Sequence, residues 1–147
     1  MNQTTRLQSW LASWDAAWNH GNLEAYSNLL SPKYVRHGRT GDQDRMSFET
    51  SLLATRTAFP ALQLTVLDAI ETGDRHAIRW HSSGVHQAPF HGIPATGRTL
   101  SFTGMTFVRF DESLVAEEWA VWDDTEINRR IGVIRIGPRT TQVNQEI

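Results

Sequence analysis

Leu100-Ser101-Phe102-Thr103-Gly104-Met105-Thr106-Phe107-Val108-Arg109-Phe110 sets Leu100, Phe102, Thr106, Val108 and Phe110 at alternate positions, with Gly104 between them. A period of two is that of a β-strand with one face buried. Asp111-Glu112-Ser113 is a turn, and Leu114 to Asp123 reads as the returning strand. Upstream, His76 to His86 reads as a strand around Ala77-Ile78 and Trp80. Thr72-Gly73-Asp74 is a turn, and Leu62, Leu64, Val66 and Ala69-Ile70 mark a first strand. Gln87 to Thr99 holds Pro89, Gly92, Pro94 and Gly97, so it is a loop excursion between the second and third strands.

Before Pro60 the period is helical. Leu7, Trp10, Leu11, Trp14, Ala17 and Trp18 fall on one face at steps of three and four. Thr4 or Thr5 is placed to cap this helix and Gly21 to stop it. A second short helix is expected over Leu23 to Leu30, an extended piece over Lys33 to His37, and a loop over Gly38 to Asp44. A third helix covers Arg45 to Ala58, and a last short one Asp124 to Ile131. Helices first and meandering strands after them give an α+β domain. One sheet face must bury against the helices, and the long strands and the Trp-bearing first helix favour a curved, mainly antiparallel sheet around a pocket. One domain over 1–137 and a polar tail over 138–147 complete the division.

Composition narrows the function. The chain has 147 residues, enough for a real core. Fourteen Lys and Arg against sixteen Asp and Glu leave a net charge of −2, which argues against nucleic acid or an anionic membrane as partner. There is no Cys, which removes disulfides, thiolate metal sites and cysteine nucleophiles. No apolar run is long enough to span a bilayer, and the first residues lack a signal peptide's apolar stretch, so a cytoplasmic protein is expected. Six Trp in so small a chain point to an aromatic-lined interior.

The fourth strand, Glu117-Glu118-Trp119-Ala120-Val121-Trp122-Asp123-Asp124, carries the densest chemistry. Trp119, Val121 and Asp123 share one face, and Glu118, Ala120, Trp122 and Asp124 the other. Asp123 has two readings. In a pocket, desolvation raises its pKa and suits it to acid/base work. At the strand end, it caps the helix that follows. His81, His86 and His91 are five apart, a spacing that does not make a metal site on a regular strand. His37 and His86 are better pocket candidates than His20 and His76, which lie in turn-like, polar surroundings. No nucleophile elbow and no phosphate-binding glycine loop is present.

Gly84-Val85-His86-Gln87-Ala88-Pro89-Phe90-His91-Gly92-Ile93-Pro94-Ala95-Thr96-Gly97-Arg98, followed by Phe102-Thr103-Gly104, Arg109-Phe110, Glu118-Trp119 and Asp123, resembles the SnoaL-like polyketide cyclase (ester cyclase) family of the nuclear transport factor 2-like superfamily. Trp18-Asn19-His20-Gly21-Asn22, Tyr34-Val35-Arg36-His37, Arg56-Thr57-Ala58-Phe59-Pro60 and Glu71-Thr72-Gly73-Asp74 extend the resemblance over Trp10 to Gly132. Departures from the family pattern are Val85, Ala88, Ala95, Ala61, Glu112-Ser113 and Arg129-Arg130-Ile131.

The resemblance implies a cone fold, a homodimer through sheet faces, and ring closure by intramolecular aldol condensation without metal or cofactor. It implies Asp123 as acid/base, with His37 and His86 assisting. Trp14, Trp18, Trp80, Phe102 and Trp119 are the expected wall for a small hydrophobic, carbonyl-rich molecule. The alternatives are a ligand-binding or dimerising protein without catalysis, and an epoxide hydrolase. The last needs a carboxylate–Arg–carboxylate array, and the same-face neighbour of Arg79 is His81.

Overall fold

The computed structural model describes residues 4–132. The tail expected over 138–147 lies outside the described residues. The chain order is α1 (Arg6–His20), α2 (Leu23–Ser27), β1 (Leu30–Gly38), β2 (Gly41–Gln43), α3 (Arg45–Ala58), β3 (Gln63–Thr72), β4 (Arg75–Val85), β5 (Thr99–Asp111), β6 (Leu114–Trp122) and α4 (Asp124–Arg130). The six strands form one sheet in the order β2-β1-β6-β5-β4-β3. Every neighbouring pair is antiparallel except β1 with β6, which is parallel. This is the α+β architecture expected, with one strand that the sequence did not announce and another that starts earlier than expected. Leu30 belongs to β1 and not to the second helix, and Gly41–Gln43 is an edge strand where a loop was expected.

Local chemistry sets the helix ends. Thr5 and Gln8 form a capping box on α1, and Gly21 closes it at φ 71°, its N–H donating to the Ala17 carbonyl while the Asn22 N–H donates to that of Ala16. The buried face of α1 is Trp10, Trp14 and Ala17. Asp44 caps α3 by accepting from the Ser47 N–H, and α3 buries Phe48, Leu52 and Ala58.

Sheet register then decides which side chains meet the helices. Across the sheet, Trp80 pairs with Gly104, and Gly104 with Trp122. Arg36 pairs with Glu118 across the parallel β1–β6 contact. Gly104 makes room for an aromatic ring: a Cβ built there lies 2.3 Å from Trp80 Cζ2. The break in alternation at Gly104 is therefore a seat for Trp80, whose indole N–H donates to Thr106 Oγ1 at 3.0 Å.

One sequence expectation fails on burial. His76 sits fully buried with its ring against Phe110 at 4.9 Å, on the inner side of β4, and not in polar surroundings. Its alternation partners Ile78, Trp80 and Ser82 are buried too, so strand parity carried it inward.

Candidate active site

The inner face of the sheet and the helices enclose a cavity. Trp14 and Trp18 of α1 form one wall. Trp80, Ser82, Phe102, Thr106 and Trp122 form the sheet wall. Leu62 and Leu64, Phe90 from the β4–β5 loop, and Ile127 of α4 complete it. The cavity volume is about 90 Å3, several times the roughly 10–15 Å3 one water needs. The cavity shares Arg36, Phe90, Trp122 and Ile127 with a more polar vestibule lined also by Gln43, Ser51 and Asn128.

Two ionisable groups line the apolar part, Arg36 and Glu118. Both are buried. Arg36 Nε donates to Glu118 Oε1 at 3.3 Å. Glu118 Oε2 accepts from the Tyr26 hydroxyl at 2.8 Å and the Tyr34 hydroxyl at 2.7 Å. Tyr26 accepts in turn from the Trp10 indole N–H at 3.2 Å. Burial first, and the Glu118 charge second, push both phenols well above their ordinary pKa. They therefore stay protonated and serve Glu118 as donors. Arg36 Nη1 donates to Gln43 Oε1 at 3.2 Å, and Gln43 donates to Ser51 Oγ at 2.7 Å. The guanidinium lies 4.8 Å from the Phe48 ring centre and 5.6 Å from that of Trp122. A buried ion pair survives desolvation only with such surrounding donors and acceptors.

The chain's relationship to known proteins fits this geometry. The family model for SnoaL-like polyketide cyclases matches residues 9–131. This chain belongs to the SnoaL-like polyketide cyclase family. AclR, a candidate hydroxylase from Streptomyces galilaeus, superposes with a TM-score of 0.80 at 26% identity over 90% of this chain and 99% of its own. IdmH, a candidate polyketide cyclase from Streptomyces antibioticus, gives 0.75 at 27% identity over 88% and 99%. TsrD from Streptomyces laurentii, at 23% identity over 91% and 100%, gives 0.80 and shares the fold. No functionally curated protein is matched by the sequence.

Within this SnoaL-like fold the expected site residues separate. Trp14, Trp18, Trp80 and Phe102 line the cavity. Trp119 does not: it lies on the opposite face, its ring stacked on His37 at 5.0 Å. His37 is there with it, its Nδ1 2.9 Å from Asp42 and its Nε2 3.0 Å from Glu117. Arg36 faces inward, so its chain neighbour His37 faces outward. Asp123 is exposed and is the N-cap of α4, accepting from the Glu126 N–H at 3.0 Å. It has the capping geometry, without the burial expected of a pocket acid. His86 is fully buried but is not part of the cavity wall. Its Nδ1 lies 3.0 Å from Thr96 Oγ1 and its ring stacks on Phe59 at 5.3 Å. Its backbone holds the β4–β5 loop closed, the N–H donating to Arg98 and the carbonyl accepting from Gly97. That loop is what delivers Phe90 to the cavity.

Sequence reasoning missed Arg36, Glu118, Trp122 and Phe90 as wall residues, and Tyr26 and Tyr34 behind them. Glu118 and Trp122 stood in one of the two alternating sets of β6, and nothing in the sequence alone chose between the sets. For Arg36 the available signal was its place beside His37. Among the described residues, no group of three or more His, Asp or Glu side chains is placed to hold a metal ion, and no helix is long and apolar enough to cross a membrane.

Proposed function

We propose that this protein is a small-molecule enzyme that closes a ring by an aldol-type step on an apolar, carbonyl-rich substrate, with Glu118 carrying the proton. The observation behind this reading is that Glu118 lines an aromatic cavity, held in place by Tyr26, Tyr34 and Arg36. Three donors hold the Glu118 carboxylate in one orientation toward the cavity. Its partner must be a C–H already acidified by two flanking carbonyls.

The step balances as follows. The C–H bond breaks, its proton goes to Glu118, and the electron pair moves onto the substrate's carbonyl oxygen as an enolate. The enolate carbon attacks a second carbonyl in the same molecule, and the resulting alkoxide takes the proton back from Glu118. The indole and phenyl walls fold the substrate so that the two carbons approach, which converts binding into reactive geometry. Membership of the cyclase family supports the same direction.

The reading includes a homodimer. Met105 and Val121 are register partners on the outer sheet face and are 57% and 65% exposed. Phe107 and Trp119 lie in the next row, in edge contact at 5.5 Å. An apolar patch of this kind fits a second copy.

The test is α-proton exchange of benzoylacetone in deuterated buffer, followed by nuclear magnetic resonance. Exchange well above the buffer rate is expected. Binding without added exchange leaves a ligand-binding protein of the same fold and overturns the catalytic reading.

A further inference from the structure

We propose that Arg36 is a catalytic group that receives the ligand's oxyanion, so that the cavity holds a 1,3-dicarbonyl as its enolate in preference to its neutral form. This rests on the reading of the cavity as a site for carbonyl chemistry.

The argument begins with donor counting. A guanidinium has five N–H groups and no acceptor. Arg36 uses one on Glu118 and one on Gln43. Among the described residues, the other three, both of those on Nη2 included, have no protein acceptor. The side chain is only 9% exposed, and it borders both the cavity and its vestibule. Unused donors on a guanidinium that borders the cavity are available to whatever fills it.

The mounting is rigid on every side. Glu118 holds Nε and is itself fixed by two phenols. Gln43 holds Nη1 and is itself fixed by Ser51. The Phe48 and Trp122 rings flank the guanidinium. Donors fixed beforehand in a low-dielectric site need no reorganisation when charge develops, which is the condition for strong oxyanion stabilisation. A planar fork also matches two oxygens held in one plane. An enolised 1,3-dicarbonyl presents two such oxygens.

Charge balance points the same way. At rest, Glu118 neutralises Arg36. When Glu118 takes the substrate's proton, the negative charge passes to the enolate, which lies beside the same guanidinium. The buried cation is paired throughout, and the site avoids the cost of an unpaired buried charge.

The test reads binding rather than turnover. Benzoylacetone is titrated with pH in the presence of saturating full-length protein, and its enolate is followed by its longer-wavelength absorbance. With the wild type, the bound ligand's pKa should fall by at least one unit, a factor of about ten in favour of the enolate. Glu118→Gln should keep that shift, because Arg36 remains. Arg36→Lys should keep only part of it, having charge without the fork. Arg36→Gln alone leaves Glu118 unpaired, so the Arg36→Gln/Glu118→Gln pair is the neutral control and should show no shift. An unshifted pKa in the wild type, or a full shift in the double variant, overturns the inference. A wild type that does not bind benzoylacetone contradicts this inference and the cavity reading together. Loss of exchange in Glu118→Gln with the shift intact separates the two.

Discussion

Arg36 and Glu118 face each other across the one parallel strand pair of the sheet, β1 against β6, with Nε and Oε1 3.3 Å apart. Antiparallel neighbours surround this pair on both sides. The crossover from β1 through the middle of the chain to β6 thus serves to bring two charges, 82 residues apart in sequence, into one apolar cavity.

Tyr34→Phe tests the support behind Glu118. It removes the 2.7 Å donor and leaves one carboxylate lone pair buried without a partner. A loss of about 1–3 kcal/mol is expected. Chemical denaturation should give it as a shift in midpoint at unchanged slope. An unchanged midpoint would mean the phenol contributes nothing net.

Gly104→Ala tests the seat of Trp80. The added methyl meets the indole at 2.3 Å, so the ring must move and its bond to Thr106 must go. Overpacking of this kind costs about 1–3 kcal/mol. Thermal unfolding should occur several degrees earlier, with altered tryptophan fluorescence. A wild-type melting point with an unchanged spectrum would show that the ring is not pinned there.

Two histidines give opposite pH dependences. Burial holds His76 below its ordinary pKa, and neither ring nitrogen has a partner among the described residues. Below about pH 6.5 the unfolded chain takes up a proton that the fold resists, so stability falls as the pH falls. Hydrogen bonds to Asp42 and Glu117 raise His37 instead. Its contribution is full below about pH 6.5 and is lost as the pH rises through the raised value. His76→Leu should flatten the acid limb of melting point against pH, and His37→Gln should flatten the neutral side. An acid limb unchanged in His76→Leu would place the titrating group elsewhere.

Val121→Asp tests the outer face. A carboxylate in the middle of that patch should turn a dimer into a monomer in light scattering, while circular dichroism stays that of the wild type. A wild type that is already monomeric at high concentration would remove the dimer from the account.

Much of the fold was legible in the sequence because its signals are local. The cap at Thr4 or Thr5, found at Thr5, the stop at Gly21 and the alternation through Leu100 to Phe110 all depend on near neighbours. The three-residue β2 was not, because Gly41-Asp42-Gln43 has no strand signature of its own and is held by pairing with β1.

The site was harder to read because it depends on parity. At the β5–β6 hairpin, Phe110 pairs with Val115, yet Arg109 pairs with Glu117. A bulge absorbs the extra residue Ala116. Counting regularly from the turn would set Glu117 opposite Val108 and turn it inward. The bulge puts Glu118 there instead, and moves Trp119 outward with His37. A one-residue slip reverses every side chain after it. The aromatic walls from α1 and β4 were legible, because no bulge intervenes between their signals and the residues that line the cavity. His86 was expected in the pocket and is buried outside its wall, because its partner Thr96 lies across a loop whose closure no local pattern specifies.

The most direct measurement compares Glu118→Gln with Asp123→Asn in the benzoylacetone exchange assay, each at the pH where the wild type is fastest. Asn caps a helix as well as Asp does, so the second variant leaves α4 intact. The account predicts that Glu118→Gln loses about 10²–10⁴-fold in rate, while Asp123→Asn stays within about twofold of wild type. The reverse result, with Asp123→Asn inactive and Glu118→Gln near the wild-type rate, would contradict it.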